Sequence, residues 1–294
     1  MTSSSDLASP EELATALERI GYLAHPGLAT SLFLALKLPQ PLLLEGEAGV
    51  GKTQAAKSLA QLLDTPLIRL QCYEGIDASE ALYEWNYPRQ LLSIRVAESK
   101  GQELGEETLF SRDYLIDRPL LQAIEHTGPN PAVLLIDEVD RADEEFEAFL
   151  FEMLAESTVT VPELGTIRAK IPPIVILTSN RTRDLHDALK RRCLYHWIDY
   201  PDLDQVIKIV NMKMPDTDSV LVQEIAAAVQ RIRSLDIQKP PGIAEAIDWA
   251  HAAALLGISD LTPDHIQQTL GSVVKYREDQ ELVVDKGLGW VAGE

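Results

Sequence analysis

Cysteine is nearly absent from this 294-residue chain: Cys72 and Cys193 stand far apart and in no metal-ligand spacing. That excludes a thiolate metal centre and suggests structural thiols in a reducing compartment. Basic residues are scarce, 26 Lys and Arg against 46 Asp and Glu, which leaves a net charge of −20. Such a chain repels phosphate backbones and anionic membranes unless a basic patch overrides it. Lys190-Arg191-Arg192 is the one basic run of three residues. No stretch approaches eighteen uncharged apolar residues, so no membrane-spanning helix is expected. "MTSSSDLASP" lacks the basic start and apolar core of a signal peptide. Histidines 25, 126, 186, 196, 251 and 265 share no metal spacing. The composition favours a cytoplasmic protein that binds neither nucleic acid nor membrane.

What is present is an ordinary globular apolar fraction of 46%, distributed in a telling order. Ser9-Pro10-Glu11-Glu12 reads as a helix start, with Ser9 as cap and Glu12 reaching back. A second helix is expected near Pro26–Lys37. Strands and helices then alternate. Leu42–Leu44, Pro66–Gln71, Ala132–Ile136 and Ile174–Thr178 read as strands, with helices over Gln54–Leu63 and from about Asp143 to Ala155. Apolar runs without alternation, separated by helices, predict a parallel sheet covered on both faces. Two insertions interrupt it. Residues 72–113 read as polar and irregular, ending in a mobile acidic stretch, "ESKGQELGEET". Residues 157–170 read as a hairpin around Leu164-Gly165. After Tyr200-Pro201 only helical periodicity remains, over Leu203–Val210, Val220–Leu235, Ile243–Leu256 and Pro263–Tyr276. The expected domains are an α/β nucleotide-binding domain at 1–200 and a small all-α domain at 201–294.

"LLLEGEAGVGKT", Leu42–Thr53, fits G-x-x-x-x-G-K-[ST] between a strand and a helix. The backbone N–H groups of Gly46, Glu47, Ala48, Gly49, Val50 and Gly51 are placed to curl around phosphates, aided by the helix N-terminus. Lys52 is expected to reach the β- and γ-phosphates of ATP, and Thr53 to offer its hydroxyl to Mg²⁺. In "AVLLIDEVDRAD", Asp137 ends a buried strand, where open parallel sheets bind ligands. It is expected to hold Mg²⁺ through water, with Glu138 as general base. Asn180 ends "IVILTSN"; it reads either as a turn former or as a group that orients the attacking water. Arg191 and Arg192 close a helix in "DALKRRCLYHW". They match the helix dipole, or they act as an arginine finger on a neighbouring subunit.

The order of these pieces, followed by a helical domain, resembles the AAA+ P-loop ATPases over roughly residues 15–280. "IDEVDRADEEFEAFLFEML", the hairpin and the Asn strand resemble the MoxR family. "QCYEGIDASEALYEWNY", "TSNRTRDLHDALKRRCLYHWIDYPD" and "KPPGIAEAIDWA" look most like the CoxD-like branch, associated with carbon monoxide dehydrogenase maturation. The resemblance implies a hexameric ring with ATP between subunits. It assigns Gly49, Gly51, Lys52 and Thr53 to phosphates and Mg²⁺, and makes Asp137 and Glu138 the Walker B pair. Asn180 becomes sensor 1, and Arg192, with Arg191 beside it, the finger. Gly21-Tyr22 would cover the adenine. The two insertions would face the ring's pore or one of its surfaces. The expected partners are further copies of the chain, a von Willebrand A domain protein and a metalloenzyme client of the molybdenum hydroxylase type. One departure concerns the lid: "PPGIAEA", Pro240–Ala246, carries no sensor 2 arginine. Arg277 is either its substitute or a solvated helix-end residue. The competing readings are a small-molecule P-loop kinase, a weakly hydrolysing nucleotide switch and a nucleic-acid motor.

Overall fold

The computed structural model describes residues 7–294; the first six residues of the chain, and with them most of "MTSSSDLASP", lie outside the described residues. Nine strands occur among the described residues: β1 (Leu42–Gly46), β2 (Leu67–Gln71), β3 (Tyr83–Trp85), β4 (Leu115–Asp117), β5 (Val133–Asp137), β6 (Thr158–Val161), β7 (Gly165–Arg168), β8 (Ile174–Ser179) and β9 (Leu194–Ile198). Five form one sheet in the order β2-β5-β8-β1-β9. The pairs β2–β5, β5–β8 and β8–β1 run parallel, in a register that sets Leu44 beside Thr178, Glu45 beside Ser179 and Gln71 beside Asp137. Residues of both parities in β1, β5 and β8 are buried. A strand that hides both faces has no use for alternation, which explains the continuous apolar runs. One face packs Leu43, Leu134, Ile136 and Leu177 with Leu120, Leu121, Ile124, Phe146 and Leu150.

The expected fold class, an α/β P-loop architecture with a helical C-terminal region, is the one observed. Three local expectations need correction. First, residues 72–113 are ordered into elements. A 13-residue helix, Tyr87–Ser99, is capped by Asn86 and lies between β3 and β4, which pair antiparallel. Trp85 packs edge-on against Phe110, centroids 5.1 Å apart, and closes this insertion around an apolar centre. Second, β9 was hidden in "CLYHW". It is an edge strand of mixed polarity, only partly buried, so its periodicity carries little signal. Third, Glu12 reaches back to the N–H of Ala8 at 2.9 Å, one residue before the cap Ser9. The hairpin of β6 and β7 forms as expected, turning through residues 162–164 into Gly165 at φ +82°.

By packing, the chain divides into two compact units. The first holds Pro26–Glu45 and Ala55–His196 with the segment up to Leu13. The second holds Trp197–Glu294 together with Ala14–His25 and Gly46–Gln54. Beyond Pro201 it is helical, with helices at Leu203–Lys213, Ser219–Arg233, Ile243–Leu255, Pro263–Val273, Arg277–Lys286 and Leu288–Ala292. Its core centres on Trp249, wholly buried, whose indole N–H donates to Thr269 Oγ1 at 2.7 Å. A buried indole needs that acceptor. Asp202 and Gln205 form a full capping box, and Thr262 with Pro263 starts a later helix.

Candidate nucleotide site

The loop from Gly46 to Gly51 links β1 to a helix that begins at Lys52. Its shape depends on glycine at two points. A Cβ on Gly46 would lie 2.3 Å from the Ile198 carbonyl oxygen. Gly49, at φ +79°, is covered by the turn that opens the helix at Ile243: a Cβ there would meet Gly242 Cα at 3.2 Å and Glu245 Oε2 at 3.0 Å. The Ile243 N–H donates to the Gly49 carbonyl at 3.0 Å, and the Gly242 N–H to Glu245 Oε2 at 2.9 Å. Lys52 is buried, at 7% exposure, and its ammonium donates to the carbonyls of Gly46 at 2.6 Å and Glu47 at 2.7 Å. A lysine folded back over its own loop puts a positive charge at a helix N-terminus, where a phosphate is favoured. Thr53 is the second residue of the helix. Tyr22 is buried, and its hydroxyl lies 3.5 Å from the Gly51 carbonyl.

In the first unit, Asp137 ends β5 at 3% exposure. Its carboxylate is held from two sides. Thr178 Oγ1, on β8, donates to Oδ1 and accepts the Glu138 N–H at 2.9 Å. Arg69 Nε, on β2, donates to Oδ2 at 3.0 Å. Arg69 Nη2 also lies 2.6 Å from Oδ2. A carboxylate at a strand end with a threonine hydroxyl beside it is an oxygen donor set that suits a magnesium ion held through water. Glu138 takes a left-handed conformation, φ 55°, that turns the chain off the strand. Its carboxylate is half-buried and has three polar neighbours: Gln71 Nε2 at 3.1 Å, Arg141 Nη1 at 3.3 Å and Asn180 Nδ2 at 3.5 Å. Asn180 thus faces the Asp-Glu pair, which a plain turn former need not do. Cys72, next to this acidic group, is pushed up to about 12, first by burial and then by Asp137, Asp140, Glu138 and Glu147. Burial and the acidic neighbours thus favour the neutral thiol.

Arg191 caps the short helix Asp187–Lys190 and Arg192 follows it, both exposed. Arg277 is 86% exposed and pairs with Glu281 at 2.9 Å in an i,i+4 contact, so it is a solvated helix residue with no tie to the loop. A different arginine supports the turn that opens the helix at Ile243. Arg233 donates to the carbonyls of Pro241 at 2.7 Å and Pro201 at 3.0 Å, and lies 4.7 Å over the Tyr200 ring. Sequence reasoning missed Arg233, Thr178, Arg69 and Gln71. The last two carried a legible signal: polar residues at i and i+2 in the otherwise apolar strand "LIRLQ" put both on one face of β2.

Residues 41–193 match the AAA domain family, dynein-related subfamily. An uncharacterized protein of Staphylococcus saprophyticus is 23% identical over 261 residues, covering 85% of this chain and 90% of its own length. Uncharacterized proteins of Staphylococcus haemolyticus and Staphylococcus aureus are each 26% identical over 230 residues, covering 76% of this chain and 78% of their own. With a phosphate loop leaving β1, an Asp-Glu pair ending β5 and the family match spanning over half of its length, the chain belongs to the AAA domain proteins of the dynein-related subfamily.

Proposed function

We propose that this protein is a MoxR-type AAA+ ATPase that assembles into a ring and remodels a protein client during maturation of a metal-cofactor enzyme. The observation that carries the ATPase reading is the Asp137–Glu138 pair: a buried carboxylate braced by Thr178, followed by a half-exposed one that faces Asn180. β1 and β5 lie in one parallel sheet, and Glu45 and Asp137 sit at the C-terminal ends of their strands. Open sheets of this kind place ligands at that edge.

In this reading the loop N–H groups and Lys52 bind the phosphates of ATP. Thr53 and Asp137 hold Mg²⁺, which when bound neutralises charge on the phosphate oxygens. Glu138 accepts a proton from the attacking water while Asn180 orients it. The water oxygen bonds to the γ-phosphorus, the bond to the bridging oxygen breaks, and ADP leaves. Arg192, with Arg191, serves a neighbouring copy; their exposure at a helix end supports that role. A von Willebrand A domain partner and a client of the molybdenum hydroxylase type follow from the likeness to the CoxD-like branch. The net charge of −20 supports a protein client over nucleic acid.

The test is light scattering of Glu138→Gln with and without ATP and Mg²⁺. The variant keeps binding and loses hydrolysis, so ATP is expected to shift it to about six subunits, and an added Lys52→Ala to reverse the shift. A monomer under both conditions overturns the self-assembling ring.

A further inference from the structure

Glu45 is a charged side chain in an apolar strand. It follows three wholly buried leucines, Leu42, Leu43 and Leu44, and is itself only 3% exposed. Three groups surround its carboxylate. The Tyr195 hydroxyl, from β9, donates to Oε2 at 3.0 Å. Arg181 Nε, directly after Asn180, lies 3.8 Å from Oε2. Lys190 Nζ, directly before Arg191 and Arg192, lies 3.9 Å from Oε1. Oε1 is fully buried without a hydrogen-bond partner. The exposed Asp184 shares both cations, 3.7 Å from Arg181 and 3.8 Å from Lys190. Both Lys190 separations exceed hydrogen-bond length, so this cation stands in Coulomb range of two carboxylates and is hydrogen-bonded to neither. A buried carboxylate with an unmet acceptor is costly. A fourth leucine would serve β1 better if stability were the purpose.

The location of Glu45 suggests another purpose. Its C-terminal neighbour is Gly46, whose carbonyl accepts from Lys52. Through Arg181 and Lys190 it touches the two segments that carry Asn180 and the arginine pair. We propose that Glu45 is a positioning residue that couples occupancy of the phosphate loop to the placement of Arg191 and Arg192. When Lys52 turns its donors from the Gly46 carbonyl to a phosphate, the Glu45–Gly46 peptide shifts. Lys190 then redistributes between Glu45 and Asp184. Thr182 is anchored to Asp140 by bonds of 2.8 and 2.7 Å. The motion therefore falls on the helix Asp187–Lys190, which carries Lys190 and ends at the arginine pair. The two arrangements differ in which carboxylate holds Lys190, the differential contact that such coupling requires. This inference rests on the ATPase reading above.

The experiment is hydrogen exchange over residues 181–195 of the full chain, with and without ATP and Mg²⁺, alongside ATP titration and steady-state kinetics. In the wild type, ATP is expected to change exchange in this segment. Glu45→Gln should bind ATP within about threefold of wild type, lose the exchange response, and lower kcat while KM holds. Lys190→Met, a change at a partly exposed site, should remove the same response, and it decides the matter if Glu45→Gln fails to fold. A response that persists in either variant overturns the coupling. So does loss of ATP binding in Glu45→Gln, which would mean that Glu45 only shapes the loop. A wild-type chain that binds no ATP is a different failure, that of the ATPase reading itself.

Discussion

Thr178 does two things with one hydroxyl. It donates to Asp137 and accepts the Glu138 N–H, so it fixes the direction of the acidic pair. Valine has the same shape without the hydroxyl. Thr178→Val leaves a buried carboxylate oxygen and an N–H short of a partner, at about 1–3 kcal/mol. Part of that falls on the reaction: kcat for ATP hydrolysis is expected to drop about tenfold, roughly 1.4 kcal/mol, with ATP affinity little changed. Equal losses in both would assign Thr178 to binding. The cysteines make a second residue-scale prediction. Burial pushes Cys72 and Cys193 from the ordinary 9.0 up to about 12. The folded thiols hold protons that the unfolded chain releases, so this contribution is intact below pH 9 and is lost as pH rises from 9 toward 12. At pH 8 a thiol reagent is expected to label the folded chain slowly and the denatured chain fast. Equal rates would contradict the burial.

At the scale of elements, the turn over Gly49 depends on a helix far along the chain. Asp279, in the helix Arg277–Lys286, is wholly buried and accepts the N–H groups of Gln238 at 2.8 Å and Lys239 at 3.1 Å. These precede the Pro240–Gly242 turn that rests on the loop. Asp279→Ala removes the buried acceptor of two part-buried hydrogen bonds and is expected to destabilise the helical unit by about 3 kcal/mol. Asp279→Asn, which keeps one acceptor, should cost less. Denaturant midpoints of the two variants check the order; if both match wild type, the helix does not brace the turn. Local sequence announced the helices of this unit, with their caps and periodicity. It could not announce this support, because Gln238 and Asp279 are forty-one positions apart. β9 failed differently: an edge strand needs little burial, so its residues carry weak periodicity. The insertion was misread because its apolar centre is small, with Trp85 and Phe110 separated by the helix Tyr87–Ser99.

For the whole molecule, the excess of acid over base bears on partners. No helix among the described residues is long and apolar enough to cross a membrane. With a net charge of −20, the chain is expected to leave the fluorescence anisotropy of a labelled DNA duplex unchanged at ~50 mM salt. Salt-sensitive binding would revive the nucleic-acid motor. By itself the sequence determined the four apolar strands of the sheet, the helical C-terminal region, the phosphate loop and the Asp-Glu strand end, because these follow from local rules: apolar runs, caps, and glycines ahead of a lysine. Only the tertiary structure decided which side chains hold the acidic pair, that Arg277 is solvated while Arg233 props the turn before Ile243, and that Glu45 is buried beside Lys190 and Arg181. Parallel strands meet neighbours remote in sequence, and the charge of a side chain says nothing of its partners until the sheet order sets them side by side.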